Sequence, residues 1–407
     1  MNKNLAQIVR ILDLIPIPNA DNIELAKVLG WQCVVKKNQF KINDLVIYFA
    51  IDSILPENQY TSFLKGERLK TKRIKGELSQ GLITPLFSFL NEENNQKLQN
   101  VIEGDDVTDL LKVHKYIPTE ELIQYDDKNN NNNEKFPTFL VPKTDSERIQ
   151  NISLILPFLI GKNVIITEKE DGCSCTMISD FCITKKMYLC GRNYVWKEKN
   201  NNTEHYFEME KKYQILSKLQ KIYENQNLSL AIQAEIIGPR INKNHMKKVR
   251  NEIRLFDIWN IEQHRYLNYD EYLKINQELN LPIAPLIYRG IFTEEMASVN
   301  YLLNMANSLE YEKNIPAEGF VLKVESDINN IKEEIQKLYE QQVLIVRDSE
   351  EKQTNKKEIE KENNKLKELM YVNKIITQFN NRISFKVISN KFLEKLEKEY
   401  EKKKNKN

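Results

Sequence analysis

The sequence predicts an α+β protein of two domains: a small β-barrel, then a larger unit of antiparallel sheets and helices carrying a charged helical insertion. Three observations predict it. Up to about residue 110, short apolar segments alternate with turn chemistry. From about residue 136, strand-like and helix-like spacings mix. Between about Ser326 and Val372 the chain becomes a dense run of Lys and Glu.

The first block, 1–110, holds "QIVRILDLIPI", "LAKVLGWQCVVKK", "LVIYFAI" and "LITPLF", with "PNADN" and "KKNQFKINDL" as turns between them. Several short strands in that length suit a small barrel, and an OB-fold is the leading candidate. A linker is expected over 111–135, where five consecutive asparagines in "DDKNNNNNEK" can bury nothing. The second domain, 136–400, is expected to place strands at 164–168, 174–179, 231–237, 252–259 and 318–324. Helices are expected at 205–225, 268–279 and 294–309. In the insertion, about 326–372, Ile328, Ile331, Ile335 and Leu338 share one helical face. The charged run after Asp348 reads as a solvated helical or partly disordered extension. A partner-binding coiled coil is the alternative there.

Bulk properties exclude several classes. The chain has 60 basic against 58 acidic residues, so a polyanion site must be a local patch rather than a global charge. Five cysteines (Cys33, Cys173, Cys175, Cys182, Cys190) without a Cys-x-x-Cys pair argue against a zinc site or a disulfide framework. The N-terminus has too short an apolar run for a signal peptide or membrane span. An intracellular protein is expected, cytoplasmic or nuclear, with an organelle still open.

Chemistry concentrates first in "VIITEKEDGCSCTMI". A charged hairpin turn is the bland reading of Lys169-Glu170-Asp171-Gly172. The sharper one is a nucleophilic lysine between two strands. An amine attacks a nucleotide α-phosphate only when neutral, and nearby positive charge frees its lone pair. A neighbouring carboxylate can bind ribose or a metal's water shell, and glycine permits a tight turn. Further along come Arg192 and Asn193 in "CGRNY", and Glu235 in "AEIIGPRINKN". Phe256 follows in "RLFDIWN", then Glu318, Gly319 and Lys323 in "AEGFVLK", and Lys386 and Lys391 in "RISFKVISNKF".

This ordered series resembles the lysine-dependent nucleotidyltransferases: ATP-dependent DNA ligases, RNA ligases and messenger-RNA capping enzymes. "FPTFLVPKTDSERIQN" ahead of the lysine, with the N-terminal "PNADNIELAKVLGWQCVVKKNQFKINDLVIYFAIDSILPE" and "LKTKRIKGELSQGLITPL", is similar to RNA ligases of the Naegleria type. The resemblance implies an OB-fold followed by a nucleotidyltransferase (ATP-grasp-like ligase) domain. It also implies ATP-dependent joining of 3′-hydroxyl and 5′-phosphate RNA ends, mainly at nicks in duplex RNA, through lysyl-AMP and an adenylylated RNA 5′ end. Lys169, Asp171, Glu235, Glu318 and Lys386 would be catalytic. Asp171, Glu235 and Glu318 would hold Mn²⁺ or Mg²⁺ through water. With Lys169 and Lys386, the nucleotide would meet Lys143, Arg148, Glu168, Arg192, Asn193, Phe256 (stacking on adenine) and Lys323. Lys143 and Arg148 would grip pyrophosphate, and Lys386 would help depress the pKa of Lys169. Many relatives end in Lys-x-Lys; Ile388 takes the second position here, with Lys391 as a substitute to be tested.

Basic clusters in "KGERLKTKRIKGE" and "KNHMKKVR" nominate Arg73, Lys75, Lys243 and Lys247 for RNA phosphate contact. RNA is the expected partner, on the 3′-hydroxyl side of the nick above all. A monomer is expected, with a protein partner open through the insertion. Trp31, Trp259, Cys173 and Cys175 read as packing residues, and His245 in "GPRINKNHMKK" as structural. A DNA ligase, a GTP-using capping enzyme and a catalytically inactive RNA-binding relative are the competing functions.

Overall fold

A computed structural model describes residues 4–89, 98, 101–116, 134–352 and 355–404. The asparagine run and residues 117–133 as a whole lie outside the described residues.

The N-terminal unit is an antiparallel sheet curled into a half-barrel. Its strands are β1 (Ala6–Pro16), β2 (Ile23–Val28), β3 (Trp31–Lys36), β4 (Leu45–Phe49) and β8 (Leu82–Pro85), ordered β3-β2-β1-β4-β8. β1 pairs with β4 along its first half and with β2 along its second, past an irregularity between Ile11 and Asp13. Such a bulge raises local twist and lets one strand serve two partners. Ile8, Ile47 and Phe49 pack on one side of the sheet and Val9, Ile11, Val46 and Trp31 on the other, all buried. The hairpin β6 (Thr71–Ile74) and β7 (Glu77–Gln80) projects from this unit. β5 (Ser53–Ile54) pairs with β9 (His114–Lys115), so the unit uses the chain beyond residue 110.

The second unit is built on two five-stranded sheets. One contains β10 (Glu147–Arg148), β11 (Asn163–Lys169), β17 (Leu286–Ile291), β20 (Gly319–Val324) and β21 (Ser384–Ile388), ordered β10-β21-β20-β11-β17. The other contains β12 (Cys173–Asp180), β13 (Lys186–Cys190), β14 (Leu230–Ile237), β15 (Glu252–Asn260) and β16 (Arg265–Tyr266), ordered β13-β12-β14-β15-β16. β11 and β14 read as unbroken apolar runs because both are interior strands; Val164, Ile165 and Ile166 are all buried. A short hairpin joins β18 (Glu310–Glu312) to β19 (Ile315–Pro316).

Helices cover the outer faces. The single helix expected over 205–225 is two: α1 (Glu204–Tyr213) and α2 (Ile215–Gln226), separated by Gln214 in the left-handed region. The break is held by the Glu210 carboxylate, which accepts from the amides of Ile215 (3.0 Å) and Leu216 (3.1 Å) at the new N-terminus. α3 (Tyr269–Leu279) starts on an Asn268–Glu271 capping box. The helix expected over 294–309 is a 3₁₀ turn followed by α4 (Val299–Ser308), whose start is capped by Ser298.

The charged insertion is two long helices, α5 (Ile328–Glu351) and α6 (Lys356–Ile376). β20 and β21, on either side of it, still pair directly, so the insertion loops out without parting them. Its base is apolar: Ile328, Ile331 and Ile335 join Tyr371, Val372, Ile375 and Ile376 in the domain core. Leu338, expected on that buried face, is exposed because the helix has by then left the domain. The base also grips the barrel. Gln7 donates to the Tyr371 hydroxyl (2.7 Å), and Lys374 donates to the Gly104 carbonyl (2.8 Å) and meets Asp105 (3.1 Å). The terminal helix α7 (Asn390–Lys404) makes a second brace, with Glu397 on Arg68 (3.1 Å), Glu394 on Arg73 and Asn390 on Gln80 (3.1 Å).

Candidate active site

Strand register builds the centre of the site. Lys169 ends β11 opposite Gly319 on β20, so the preceding Glu318 arrives beside it. Lys169 Nζ donates to Glu318 Oε2 at 2.7 Å, and the Tyr311 hydroxyl donates to the Lys169 carbonyl at 2.8 Å. On β14, Glu235 pairs with Ser174 of β12. The turn between β11 and β12 has no room for a side chain at Gly172. A Cβ there would lie 2.3 Å from the Ile236 carbonyl oxygen and 2.8 Å from Glu235 Cγ. The glycine therefore lets the turn seat against Glu235.

Charge in this centre is mostly negative. Burial, the largest single influence, pushes the Lys169 ammonium down, but Glu318, Glu235 and Asp171 together push it further up. In the protein alone the amine is thus held protonated. The expectation that Lys386 and a metal ion depress it concerns the loaded site, where a divalent cation would add the positive charge. Glu235 is pushed up to about 8, first by burial and then by Glu318 and Asp171, against the pull of Lys169. One lysine does not neutralise these carboxylates, and the donor set fits a hydrated divalent cation. Among the described residues, no three His, Cys, Asp or Glu side chains are placed to coordinate an ion directly.

Around the centre opens a cavity of about 2680 Å³, ample for a nucleotide and an RNA end. Lys143, Arg148, Glu168, Arg192, Asn193, Phe256, Lys323 and Lys386 all line it. Phe256 is half-buried on β15, its ring 5.6 Å from the Lys323 ammonium. Lys323 spans the two sheets, donating to the Phe256 carbonyl and pairing with Asp257 (3.1 Å). Lys386 lies on β21 opposite Val321 and beside Arg148 of β10. Arg148 packs against Trp31 of the barrel (5.7 Å to the ring), and its Nη1 is buried with no hydrogen-bond partner among the described residues. Lys143 donates to Asn193 (2.8 Å), and Arg192 pairs with Asp145 (2.6 Å). Lys391 is exposed on the first turn of α7, outside the lining of this cavity. Of the basic-cluster residues, Lys243 reaches the cavity rim; Lys75 and Lys247 are exposed elsewhere, and Arg73 pairs with Glu394.

Sequence reasoning missed the residues that hold Asp171. Asn242 donates to its Oδ1 (3.1 Å), and His245 Nδ1 meets its Oδ2. Both lie on the loop after β14, where Arg240, Asn242, Lys243, Asn244 and Lys247 all have positive φ. Only asparagine among these tolerates that region well. The signal was the Gly-Pro turn after Glu235, which returns the chain toward the cavity; spacing alone did not show which side chain points in.

A strand-end lysine, two nearby carboxylates and a cavity between two sheets mark a ligase domain behind an N-terminal OB domain. Residues 5–86 match a family model described as an OB-fold domain, and residues 162–339 match the RNA ligase family. Solved structures of Naegleria gruberi RNA ligase are similar over nearly the full length. A lysine-to-alanine mutant with ATP and Mn is 28% identical with a TM-score of 0.71, covering 96% of this chain and 98% of that one. A glutamate-to-alanine mutant with AMP and Mn has the same identity and TM-score, covering 97% and 99%. The ligase with PPi is 28% identical at 0.70, covering 97% and 98%. No curated protein matches the sequence. Together these matches support an RNA ligase of the Naegleria type.

Proposed function

We propose that the protein uses ATP and Mn²⁺ or Mg²⁺ to seal 3′-hydroxyl/5′-phosphate nicks in duplex RNA, with Lys169 as the covalent nucleophile. The observation that carries this is the Lys169–Glu318 contact at 2.7 Å inside a cavity shared with Glu235, Phe256 and Lys386. The relatives solved with ATP, AMP, Mn and PPi support the choice of nucleotide and metal.

Lys169 first sheds a proton, then attacks the ATP α-phosphorus. An N–P bond forms, the bond to pyrophosphate breaks, and the amine loses a second proton; Glu318 is the adjacent acceptor. A hydrated divalent ion on Asp171, Glu235 and Glu318 would neutralise phosphate charge and favour the free amine. Arg148 and Lys143 face the outgoing pyrophosphate, Phe256 stacks on adenine, and Lys386 contacts the α-phosphate. Next, an RNA 5′-phosphate oxygen attacks the bound phosphorus; the N–P bond breaks and the lysine is reprotonated. Finally the 3′-hydroxyl attacks the RNA 5′-phosphorus, loses its proton and expels AMP. Positioning and charge neutralisation carry all three steps. Lys243 and, from the barrel side, Lys75 and Arg73 supply sequence-independent phosphate contacts, with Lys247.

Incubation with labelled ATP tests the reading. Label should appear on wild-type protein in the presence of Mn²⁺ or Mg²⁺ and vanish in Lys169→Ala. Label from GTP alone overturns the ATP assignment. Equal sealing of all-DNA and RNA-containing nicks overturns the RNA assignment. We place the protein inside the cell because all five cysteines are free thiols. No helix of the described residues is long and apolar enough to cross a membrane.

A further inference from the structure

The loop after β14 does more than carry basic residues past the cavity. Asp171 receives one hydrogen bond per carboxylate oxygen: Asn242 Nδ2 reaches Oδ1 at 3.1 Å, and the His245 ring reaches Oδ2 through Nδ1. A carboxylate is an acceptor only, so Nδ1 carries the proton and donates. The His245 side chain is 10% exposed and that of Asp171 13%, so water competes little for the bond. The other ring nitrogen, Nε2, faces Glu399 of α7 at 3.3 Å. The ring itself stands edge-on to Phe392 of the same helix, centroids 5.9 Å apart at 88°. His245 is therefore wedged between the turn that follows Lys169 and the terminal helix. It is held there by a backbone that places several non-glycine residues at positive φ, a local cost that persists where the surroundings over-determine it.

We propose that His245 is a positioning residue for Asp171: its Nδ1–H fixes the carboxylate rotamer, so that Asp171 presents its remaining lone pairs toward the nucleotide being transferred to Lys169. The inference rests on the reading of Lys169 and Asp171 as the nucleotidyl-transfer centre. Only Glu170 separates Lys169 from Asp171, and the Asp171 charge is one of those felt by the amine. A freely rotating carboxylate would spread that charge over several positions. A misplacement of order 1 Å at a reacting centre costs on the order of 10²-fold in rate. Packing alone would give the ring a different signature, because a packing role depends on its shape and on Phe392 and Glu399, not on which nitrogen donates.

The test exploits the two ring nitrogens separately. In His245→Asn the amide nitrogen falls near Nδ1 and can donate to Asp171 but cannot reach Glu399. In His245→Gln the amide extends toward the Nε2 side and loses the Asp171 donor. The readout is the rate of lysyl-AMP formation with labelled ATP and Mn²⁺ on the full-length protein, with melting followed in parallel. Expected are His245→Gln and His245→Ala slowed by on the order of 10²-fold, and His245→Asn within about tenfold of wild type, one hydrogen bond's worth. Glu399→Gln should form lysyl-AMP at the wild-type rate. His245→Gln as fast as His245→Asn overturns the proposal, and so does Glu399→Gln as slow as His245→Ala; the Asn/Gln comparison stands even if the alanine variant does not fold. Wild-type protein that takes no label at all overturns the nucleotidyl-transfer reading instead, so the two failures are distinguishable.

Discussion

Replacing Asp257 by asparagine should destabilise the catalytic domain by about 3 kcal/mol at pH 7. Asp257 is 8% exposed. Arg382 Nη2 meets its Oδ2 at 2.8 Å, and Lys323 Nζ meets the same atom at 3.1 Å. Asparagine keeps the shape and an acceptor oxygen but leaves two cations without their counter-charge. Breaking a buried pair from one side costs about 3–5 kcal/mol. The lower end applies because Lys323 can yield: burial pushes it down to about 8 even with Asp257 present, so without that carboxylate it sheds its proton. Arg382 cannot do so. Urea unfolding followed by tryptophan emission measures the loss, since Trp259 lies on the same strand, and an unchanged slope would show that the midpoint reports stability. The effect should depend on pH. Burial alone would push the Asp257 carboxyl up, but Arg382 and Lys323 outweigh it and hold it below the usual carboxylate range. Its contribution is thus complete above the unfolded value of about 3.9 and disappears as pH falls through the lower folded value. A variant within about 1 kcal/mol of wild type at pH 7, less than the cost of one unsatisfied buried group, would refute the reasoning.

Gly172→Ala should slow lysyl-AMP formation by on the order of 10²-fold, because the new methyl would sit 2.3 Å from the Ile236 carbonyl oxygen and must displace the turn or Glu235; single-turnover labelling checks it. Gly104→Ala should loosen the barrel from the insertion. Its Cβ would meet the Tyr371 ring at 2.7 Å from a backbone at φ +88, an overpacking cost of about 1–3 kcal/mol. Limited proteolysis near the base of the insertion should quicken, and unchanged cleavage counts against the brace. Glu210→Ala removes the acceptor for two amides at the start of α2 and should cost about 1 kcal/mol in urea unfolding; activity should be retained.

Much of the fold was legible because its signals are local. The apolar run Val164–Ile166 and the turn glycine at 172 follow from backbone geometry, and the order of Lys169, Glu235, Glu318 and Lys386 was read through the resemblance to lysine-dependent nucleotidyltransferases. The expected strands match β11, β12, β14, β15 and β20 within a residue or so of their observed bounds. Local pattern failed where distant groups decided. Nothing in the periodicity of residues 204–226 marks Gln214 as a break, because the Glu210 side chain stabilises it. Leu338 continued the helical spacing, but α5 had left the core by that point.

The sequence by itself determined the kinds of group available: a lysine amine, carboxylates, an aromatic ring, and strands stiff enough to carry them. Tertiary structure alone decided what each group feels. Lys169 sits among Glu318, Glu235 and Asp171, whose charges together push its ammonium up despite burial. His245 holds Asp171 from 74 positions along the chain. Field and orientation depend on distances of a few ångströms between residues far apart in sequence, and those distances exist only once the sheets have paired.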